Sequence, residues 1–216
     1  MSPDYAGFVR ANTQIAAPPL LPEIALHLAT EITPLWHATE ATLAASQLPP
    51  PYWAFAWPGG QALARHLLDR PELVRGRAVL DLGAGSGLLA IAAMKAGARC
   101  ATAAETDAFA AGAIGLNAAL NAVAIAIEGA DVIGGDGSAW ETVLVGDMCY
   151  ERPLAERILA WLTPLAQAGV SVLLGDPGRA YLPKEGLVPL GHYPVPTPLD
   201  LEDRAERMTT VWRLAR

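Results

Sequence analysis

The residues best suited to chemistry form a glycine-rich loop between a predicted strand and a predicted helix. The loop carries Gly83, Gly85 and Gly87, and Asp81 precedes the first glycine by two positions. Glycine lets the backbone turn sharply and lets a ligand approach it closely. The free N–H groups at the start of the next helix point at a bound molecule. The pattern indicates a site for a nucleotide-like cofactor, with an ordinary tight turn as the alternative.

The acid at Asp81 narrows the choice of cofactor. The G-x-G-x-G spacing differs from the G-x-G-x-x-G loop that holds a pyrophosphate. A carboxylate here would repel a pyrophosphate, but it would suit a cationic ligand that carries an amino group. S-adenosylmethionine has both a sulfonium and an ammonium group. The loop therefore favours that cofactor over the NAD of a dehydrogenase, which is the rival interpretation.

Two further acids follow the next predicted strands. Glu105 ends the second one, where an acid commonly accepts hydrogen bonds from ribose hydroxyls. A solvated strand end is the alternative for Glu105, while Asp107 either competes with it or caps the next helix. Asp131 follows the third strand, where a short polar side chain can meet the adenine amine. For Asp131 an ordinary loop aspartate is an equally good interpretation.

The elements that must position these residues alternate between strand and helix from residue 77 onward. The predicted strands are 77–82, 99–105, 124–128, 142–146, 170–174, 187–195 and 208–214, and the predicted helices are 88–96, 108–120 and 151–165. Such alternation predicts an α/β fold with a parallel sheet covered on both faces. The last two strands have no helix between them, so they predict an antiparallel C-terminal edge.

The N-terminal part has a different pattern. Residues 1–20 show little periodicity, whereas 22–46 carry apolar residues at helical spacing, interrupted at Pro34. The aromatic segment 52–60 ends in Trp-Pro-Gly-Gly and is not expected to continue a regular element, and a helix resumes over 61–68. We therefore predict an N-terminal arm and helical extension over 1–48 and an α/β domain over 49–216.

Composition excludes several classes of protein. The 52% apolar content argues against disorder, and the net charge of −7 argues against a general nucleic-acid binder. The chain has no run of about 18 apolar residues free of charges and helix breakers, so no membrane span is predicted. The first residues lack the pattern of a signal peptide, so a cytoplasmic location is expected. Two cysteines and scattered histidines predict neither a disulfide framework nor a metal site.

Several segments together resemble a known family. The glycine loop, Glu105 and the Asn-Ala-Ala-Leu-Asn segment 117–121 resemble a seven-β-strand (class I) S-adenosylmethionine-dependent methyltransferase over roughly residues 52–216. The Gly-Asp-Met-Cys-Tyr segment 146–150 resembles the D-x-x-[FY] signature of a group of protein lysine methyltransferases. The aromatic segment 53–60 resembles the stretch before the first core strand of that group.

Two short segments point to one branch of that group. The Leu-Gly-Asp-Pro-Gly-Arg segment 174–179 and the Thr-Thr-Val-Trp segment 209–212 resemble the branch that methylates lysines of the electron transfer flavoprotein beta subunit. Cys149 departs from the pattern, because an aromatic residue is expected there in relatives. The departure leaves the D-x-x-Y residues intact but puts the shape of the pocket in doubt.

The resemblance implies a Rossmann-like seven-stranded sheet, S-adenosylmethionine as cofactor and S-adenosylhomocysteine as product. It implies that Asp147 meets the target lysine, that Tyr150 helps form the lysine channel, and that Trp57 lies against the cofactor. The Tyr150 and Trp53 rings could hold the lysine stem and the developing cation. Since methyl transfer needs a neutral amine, Asp147 is expected to position the amine and stabilise it as it becomes cationic.

Each of these residues also has a plainer interpretation. Asp147 could be the N-cap of the following helix, and Tyr150 could pack in the core. Trp53, Phe55 and Trp57 could pin the N-terminal arm to the domain. Asp176 and Arg179 are expected to bind substrate because they follow a buried strand at the carboxyl edge of the sheet. Asp-Pro-Gly is also strong turn chemistry, so a simple turn is the alternative.

The resulting hypothesis is a protein lysine N-methyltransferase that acts on the electron transfer flavoprotein beta subunit. It is expected to be a monomer that binds neither nucleic acid nor a membrane. A ribosomal-protein or small-molecule methyltransferase on the same fold is one alternative. A non-catalytic S-adenosylmethionine-binding module is another. The acid of the D-x-x-Y pair argues against it, because a pure binder needs no acid beside the methyl group.

Overall fold

Strand and helix alternate along most of the chain. The computed structural model describes residues 4–30, residue 35, residues 50–198 and residues 204–216. The helices are α1 (Tyr5–Asn12), α2 (Pro58–Asp69), α3 (Leu88–Lys95), α4 (Ala108–Leu120) and α5 (Arg152–Gln167). The strands are β1 (Gln14–Ala16), β2 (Leu26–Leu28), β3 (Ala78–Leu82), β4 (Cys100–Ala104), β5 (Ala126–Glu128), β6 (Thr142–Gly146), β7 (Ser171–Asp176), β8 (Leu187–Pro196) and β9 (Glu206–Leu214). From β3 onward, the ends of every predicted strand and helix are correct to within two residues.

Seven strands form one sheet in the order β5-β4-β3-β6-β7-β9-β8. The first five of that order pair in parallel, while β9 pairs antiparallel with both β7 and β8. The predicted fold class is therefore confirmed, including the antiparallel C-terminal edge. Strand β8 carries Pro189, Pro194 and Pro196 and lies at the edge, where a residue without an N–H costs no ladder hydrogen bond.

The sheet is buried between two layers of helix. On one face α2 and α3 pack against alternate strand residues such as Val79 and Leu144. On the other face Ile158 of α5 packs against Leu80 and Val143. Neighbouring residues of one strand thus enter opposite clusters, because side chains alternate across a strand. This arrangement leaves the carboxyl ends of the parallel strands as the place where loops can build a site.

The prediction of a helix over 22–46 is wrong where the structure describes that range. Leu26–Leu28 is the fully buried strand β2, which pairs antiparallel with β1. The backbone N–H groups of Ala25 and His27 donate to the side-chain oxygens of Asn121 and Asn117, so tertiary partners replace the bonds of a helix. The rest of the predicted helix, and the predicted domain boundary at 48/49, lie outside the described residues.

A helix instead forms earlier, in the segment for which no element was predicted. Helix α1 begins after Asp4, whose side chain accepts a 2.8 Å hydrogen bond from the backbone N–H of Gly7. Val9 of α1 is fully buried against α4 through a cluster that includes Trp53 and Ala113. Tertiary packing therefore stabilises a short helix whose sequence periodicity is weak.

The Trp-Pro-Gly-Gly segment also differs from its prediction, because it begins helix α2. Pro58 occupies the first helical position, where its missing N–H is harmless. Gly59 then lies so close to β7 that a Cβ there would collide with the carbonyl of Gly175. The two glycines thus let the start of α2 approach the carboxyl ends of β6 and β7.

In the described parts of the chain, the helices are too short or too polar to cross a membrane. The same parts hold no group of three or more His, Cys, Asp or Glu side chains that could bind a metal ion.

Candidate functional site

A cavity of about 530 Å³ opens at the carboxyl ends of the parallel strands. Its volume lies in the range of small-molecule and cofactor sites. The predicted site residues that line it are Trp53, Trp57, Gly83, Gly85, Glu105, Asp131, Asp147, Tyr150 and Arg179. Residues drawn from separate loops of the sequence therefore meet at one place. The described lining of the cavity does not include Asp81, Gly87 or Asp176.

The glycine loop needs glycine for its backbone conformation. Gly83, Gly85 and Gly87 have φ values of 63°, 52° and 78°, in the left-handed region that side chains disfavour. A Cβ on Gly83 would collide with the side chain of Met148, which packs directly against this glycine. Gly87 is the N-cap residue of α3 and is not among the described residues that line the cavity. Its role is to set the backbone turn between the loop and the helix.

Glu105 extends from the end of β4 into this cavity. Its Oε2 accepts a 2.9 Å hydrogen bond from the N–H of Gly85, and its Oε1 accepts a 3.0 Å bond from the N–H of Asp107. Each carboxylate oxygen can accept more than one hydrogen bond, so acceptor capacity remains for a ligand. Asp107 caps α4 by accepting from the N–H of Phe109, as the alternative for that residue predicted.

Asp131 lies on another wall of the cavity, in an ion pair with Arg157. The Arg157 Nη2 to Asp131 Oδ2 distance is 2.6 Å, and Asp131 Oδ1 accepts from the N–H of Ile133 at 3.0 Å. The hydrogen bond from Arg157 holds the pKa of the Asp131 carboxyl below its usual value. Asp131 is therefore negatively charged at neutral pH, and each of its oxygens already accepts one hydrogen bond from the protein.

The structure turns Asp81 away from the cavity. Its side chain is almost fully buried, and its Oδ2 accepts a 2.9 Å hydrogen bond from the N–H of Ala90 in α3. Burial raises the pKa of this carboxyl to about 8. Strand alternation explains the orientation, because Leu82 faces the cavity and its neighbour must face the opposite layer. The prediction that Asp81 contacts a cationic ligand does not agree with these contacts.

Asp147 follows β6 and is buried at the centre of the site. It is a non-glycine residue with a positive φ of 56°, a strained conformation that often marks functional sites. Its Oδ2 accepts from the N–H of Gly60 at 3.0 Å, and its Oδ1 accepts from Arg179 Nη2 at 2.9 Å. The N-cap of α5 is Glu151, so the alternative interpretation of Asp147 as that cap is wrong.

The groups around Asp147 have opposite effects on the pKa of its carboxyl. Burial raises the pKa of its carboxyl to about 7, and the nearby charge of Asp176 also raises it. The positive charge and hydrogen bond of Arg179, with the bond from Gly60, lower it. A carboxyl with such balanced influences is sensitive to the loss of any one of them.

Arg179 reaches the cavity from the turn after β7. Its guanidinium carbon lies 5.7 Å from the ring centroid of Trp57, and the side chain is 20% exposed. Asp176 builds the turn itself, because its Oδ1 accepts from the N–H groups of Gly178 and Arg179 at 2.7 and 2.6 Å. The structure thus favours the turn interpretation for Asp176, whereas Arg179 lines the cavity.

The aromatic residues divide into buried and exposed ones. Trp53 is 3% exposed and packs with Val9 against α4, as the alternative of pinning the N-terminal arm predicted. Tyr150 is 39% exposed and meets Tyr52 edge to face, with ring centroids 6.0 Å apart. Trp57 donates its Nε1–H to the carbonyl of Tyr52 at 2.8 Å. Tyr150 therefore lies at the mouth of the cavity and not in the core.

Two contributors had no assigned role in the sequence. Met148 lines the cavity between the two signature residues, and the pattern itself says nothing about it. Asn117 is fully buried, and its Nδ2 donates to the carbonyl of Ser86 in the glycine loop at 2.8 Å. A polar amide in the alanine-rich helix α4 was the available signal for a buried hydrogen-bonding role.

Comparison with known proteins agrees with this geometry. The family model for ribosomal protein L11 methyltransferase (PrmA) matches residues 62–139. The electron transfer flavoprotein beta subunit lysine methyltransferase of Danio rerio is 39% identical over 217 residues, which cover 97% of this chain and 83% of that protein. The Xenopus laevis protein of the same name is 37% identical over 211 residues, covering 95% and 85%. Magnesium protoporphyrin IX methyltransferase from Synechocystis PCC 6803, solved with bound SAM, has the same fold with a TM-score of 0.53 at 20% identity, covering 72% of this chain and 78% of that one.

Proposed function

The chain belongs to the electron transfer flavoprotein beta subunit lysine methyltransferase family, and we propose that it methylates lysine side chains of that subunit with S-adenosylmethionine. The observation that carries the proposal is the position of Asp147. This buried acid lines the same cavity as the glycine loop and Glu105. This arrangement supports a site for a basic side chain beside a site for a nucleoside.

The residues of the cavity fit S-adenosylmethionine. Gly83 and Gly85 present bare backbone, and Glu105 retains lone pairs suited to ribose hydroxyls. Asp131 offers a charged acceptor for the adenine amine, and Trp57 provides an apolar wall. When bound, S-adenosylmethionine supplies a methyl group that is open to attack by an amine. Asp81 has no place in this contact set, and we assign it to bracing β3 against α3.

Asp147 is proposed to hold the nitrogen of the target lysine. Free lysine has a pKa near 10.4, so its neutral form must be bound or generated in the site. Burial favours that form because it disfavours the ammonium. Asp147 then orients the amine and stabilises the positive charge that develops as the new bond forms. The lysine loses its proton to water or to another base before the transfer, and alignment of the reacting atoms provides most of the rate.

The aromatic side chains are proposed to shape the lysine channel. Tyr150 and Tyr52 lie edge to face at the mouth and are half exposed, so they can cover the aliphatic stem of an incoming lysine. Trp53 lines the cavity from its buried side and fixes the wall behind them. Together these rings form a channel that admits only a long, unbranched side chain, such as that of lysine, with an amine or a cation at its end.

A labelling experiment on a whole proteome tests the proposed substrate. The purified chain is incubated with radiolabelled S-adenosylmethionine and a cell lysate, and labelled bands are identified by mass spectrometry. We expect the electron transfer flavoprotein beta subunit to carry the label. Label in ribosomal protein L11 would instead support the alternative that the family-model match suggests. Label only in small molecules would reject a protein substrate, and no label in any fraction would support a non-catalytic binding module.

We further propose that the chain works as a monomer in the cytoplasm on a protein and not on nucleic acid. The net charge of −7 supports a protein substrate over a nucleic acid, because binding a nucleic acid calls for a basic surface. Native mass spectrometry and cell fractionation measure the first two properties directly.

A further inference from the structure

We propose that Arg179 is a built-in counterion of Asp147 that allows the site to bind the target lysine as a neutral amine. The inference rests on the proposed function, since it concerns the same lysine. It assigns Arg179 as a positioning residue that acts through Asp147, instead of a residue that binds the substrate itself.

The first support is the geometry of the pair. Arg179 contacts Asp147 Oδ1 through Nη2 at 2.9 Å and through Nε at 3.3 Å. The other oxygen, Oδ2, accepts from the N–H of Gly60 at 3.0 Å. The Asp147 side chain is 8% exposed and that of Arg179 is 20% exposed. Protein partners therefore engage both oxygens of the acid, in a setting shielded from water.

The second support is the way in which Arg179 is held. Its backbone N–H donates to Asp176 Oδ1 at 2.6 Å, which fixes the turn that carries it. Its guanidinium lies over the ring of Trp57, with 5.7 Å from the carbon to the centroid. Anchors at both ends distinguish this pair from an exposed ion pair, whose long side chains are rarely held in one geometry.

The third support is the requirement of the reaction. A buried carboxylate without a counterion would stabilise a lysine as its ammonium, which has no lone pair for attack. The charge of Arg179 weakens, without removing, the attraction of Asp147 for an ammonium, while the carboxylate oxygens keep further acceptor sites for an N–H group. Asp147 can then orient an uncharged amine by a hydrogen bond. It does so without forming the ion pair that would block the reaction.

The charged and titratable neighbours make Arg179 decisive. Asp176, at the end of β7, adds a second acid beside Asp147, and Cys149 on the loop after β6 is neutral because burial raises its pKa to about 12. Helix α2 contributes the backbone N–H of Gly60, and Glu105 is a further acid that lines the same cavity. Among the described residues that line the cavity, Arg157 pairs with Asp131, whereas Arg179 is the cation in contact with Asp147.

The test measures how kcat depends on pH, with the purified flavoprotein beta subunit as substrate. Four forms of the chain are compared: the wild type, Arg179→Gln, Asp147→Asn and the double variant. The acid limb of kcat reports groups in the enzyme–substrate complex. In Arg179→Gln the acid limb should move to higher pH by about one unit or more. At a given pH on that limb kcat should then be about tenfold lower than in the wild type, and it should return to its plateau at higher pH. In Asp147→Asn the limb should move down, because the carboxylate charge no longer offsets the positive charge of Arg179. In the double variant it should return toward the wild-type position.

A control variant removes a comparable charge without touching the pair. Arg152 is 69% exposed and lies over the ring of Tyr181, at 5.2 Å from the centroid. Arg152→Gln should leave the pH limb where it is in the wild type. Circular dichroism of each variant checks that the fold is retained, and each limb is compared with its own plateau, so a general loss of rate does not mimic the effect.

A second readout does not depend on any substrate. NMR titration of the Asp147 carboxyl carbon in the free enzyme should show a higher pKa in Arg179→Gln than in the wild type. If the wild type transfers no methyl group to the flavoprotein, the proposed function fails, while this titration still tests the counterion. An unchanged Asp147 pKa, or unmoved pH limbs in the single variants, overturns the proposal. A higher kcat at every pH in Arg179→Gln also overturns it, because Arg179 would then be a plug that the lysine must displace.

Discussion

The side chain of Asn117 donates a 2.8 Å hydrogen bond to the carbonyl of Ser86, which ties helix α4 to the glycine loop. The same amide accepts a 2.8 Å bond from the N–H of His27 in strand β2. One buried residue thus joins the candidate cofactor loop to the N-terminal hairpin. The N-terminal segment is therefore coupled to the shape of the cofactor site.

Asn117→Ala should weaken both the fold and the binding of S-adenosylhomocysteine. The substitution leaves the Ser86 carbonyl and the His27 N–H buried without partners, at about 1–3 kcal/mol for each group. Urea unfolding measures the free energy of unfolding, and calorimetry measures the affinity. Asn121→Ala is the matched control, because Asn121 bonds to both backbone groups of Ala25 and not to the loop. It should lower stability but leave the affinity unchanged, and equal losses of affinity in both variants would contradict the coupling.

Asp81→Asn should change how stability depends on pH. The pKa of Asp81 is about 8 in the folded protein, well above its unfolded value of about 3.9. Between these values the folded state binds more protons than the unfolded state, so the wild type loses stability as pH rises from about 4 to 8. The loss approaches about 1.4 kcal/mol per pH unit at most. Unfolding at pH 5, 6, 7 and 8 should show Asp81→Asn gaining on the wild type, and parallel curves would count against a buried neutral acid.

Glu105→Gln should weaken S-adenosylhomocysteine binding by about tenfold or more, because a charged acceptor for the ribose is replaced by a neutral amide. Calorimetry gives the dissociation constants. The control is Glu128→Gln, since the exposed Glu128 side chain at the end of the neighbouring strand accepts a hydrogen bond from the N–H of Ala130. Its backbone carbonyl, which accepts from the N–H of Glu105 at 2.9 Å, is unchanged by the substitution. If the two variants bind equally well, Glu105 is a solvated strand end and not a ligand contact.

Gly59→Ala should disturb the start of α2, whereas Gly60→Ala should not. A Cβ on Gly59 collides with the Gly175 carbonyl, while a Cβ on Gly60 meets only Leu88 Cδ2 at an ordinary 3.8 Å. We expect Gly59→Ala to lose about 1–3 kcal/mol of stability and, by moving α2 away from Asp147, to lower kcat. Gly60→Ala should keep wild-type stability in thermal and urea unfolding. Similar losses in both variants would indicate helix-start effects instead of the close approach to β7.

Much of the fold follows from local sequence, because strand and helix periods are properties of neighbouring residues. The βα alternation from residue 77 and the antiparallel edge were predicted correctly. The helix over 22–46 was wrong at β2, where buried amides of Asn117 and Asn121, some 90 positions away, accept the backbone N–H groups. No periodicity in the segment itself reports such distant partners.

For the candidate site too, some residues can be placed from local sequence, whereas other relations depend on tertiary packing. The sequence could place Glu105, Gly83 and Gly85 at the cavity because each lies at or just after the end of a predicted strand, and their roles there stay predictions. The orientation of Asp81 depends on which sheet face meets α3, and the pairing of Asp147 with Arg179 depends on two loops meeting across β6 and β7. Those relations arise only from tertiary packing.

The most direct measurement of the central claim is methyl transfer to the purified electron transfer flavoprotein beta subunit, followed by mass spectrometry of its peptides. The wild-type chain with S-adenosylmethionine should add methyl groups to lysine side chains of the subunit. Asp147→Ala should retain S-adenosylhomocysteine binding but lose most of the transfer. An unmodified subunit after incubation with the wild type, or undiminished transfer by Asp147→Ala, would contradict the account.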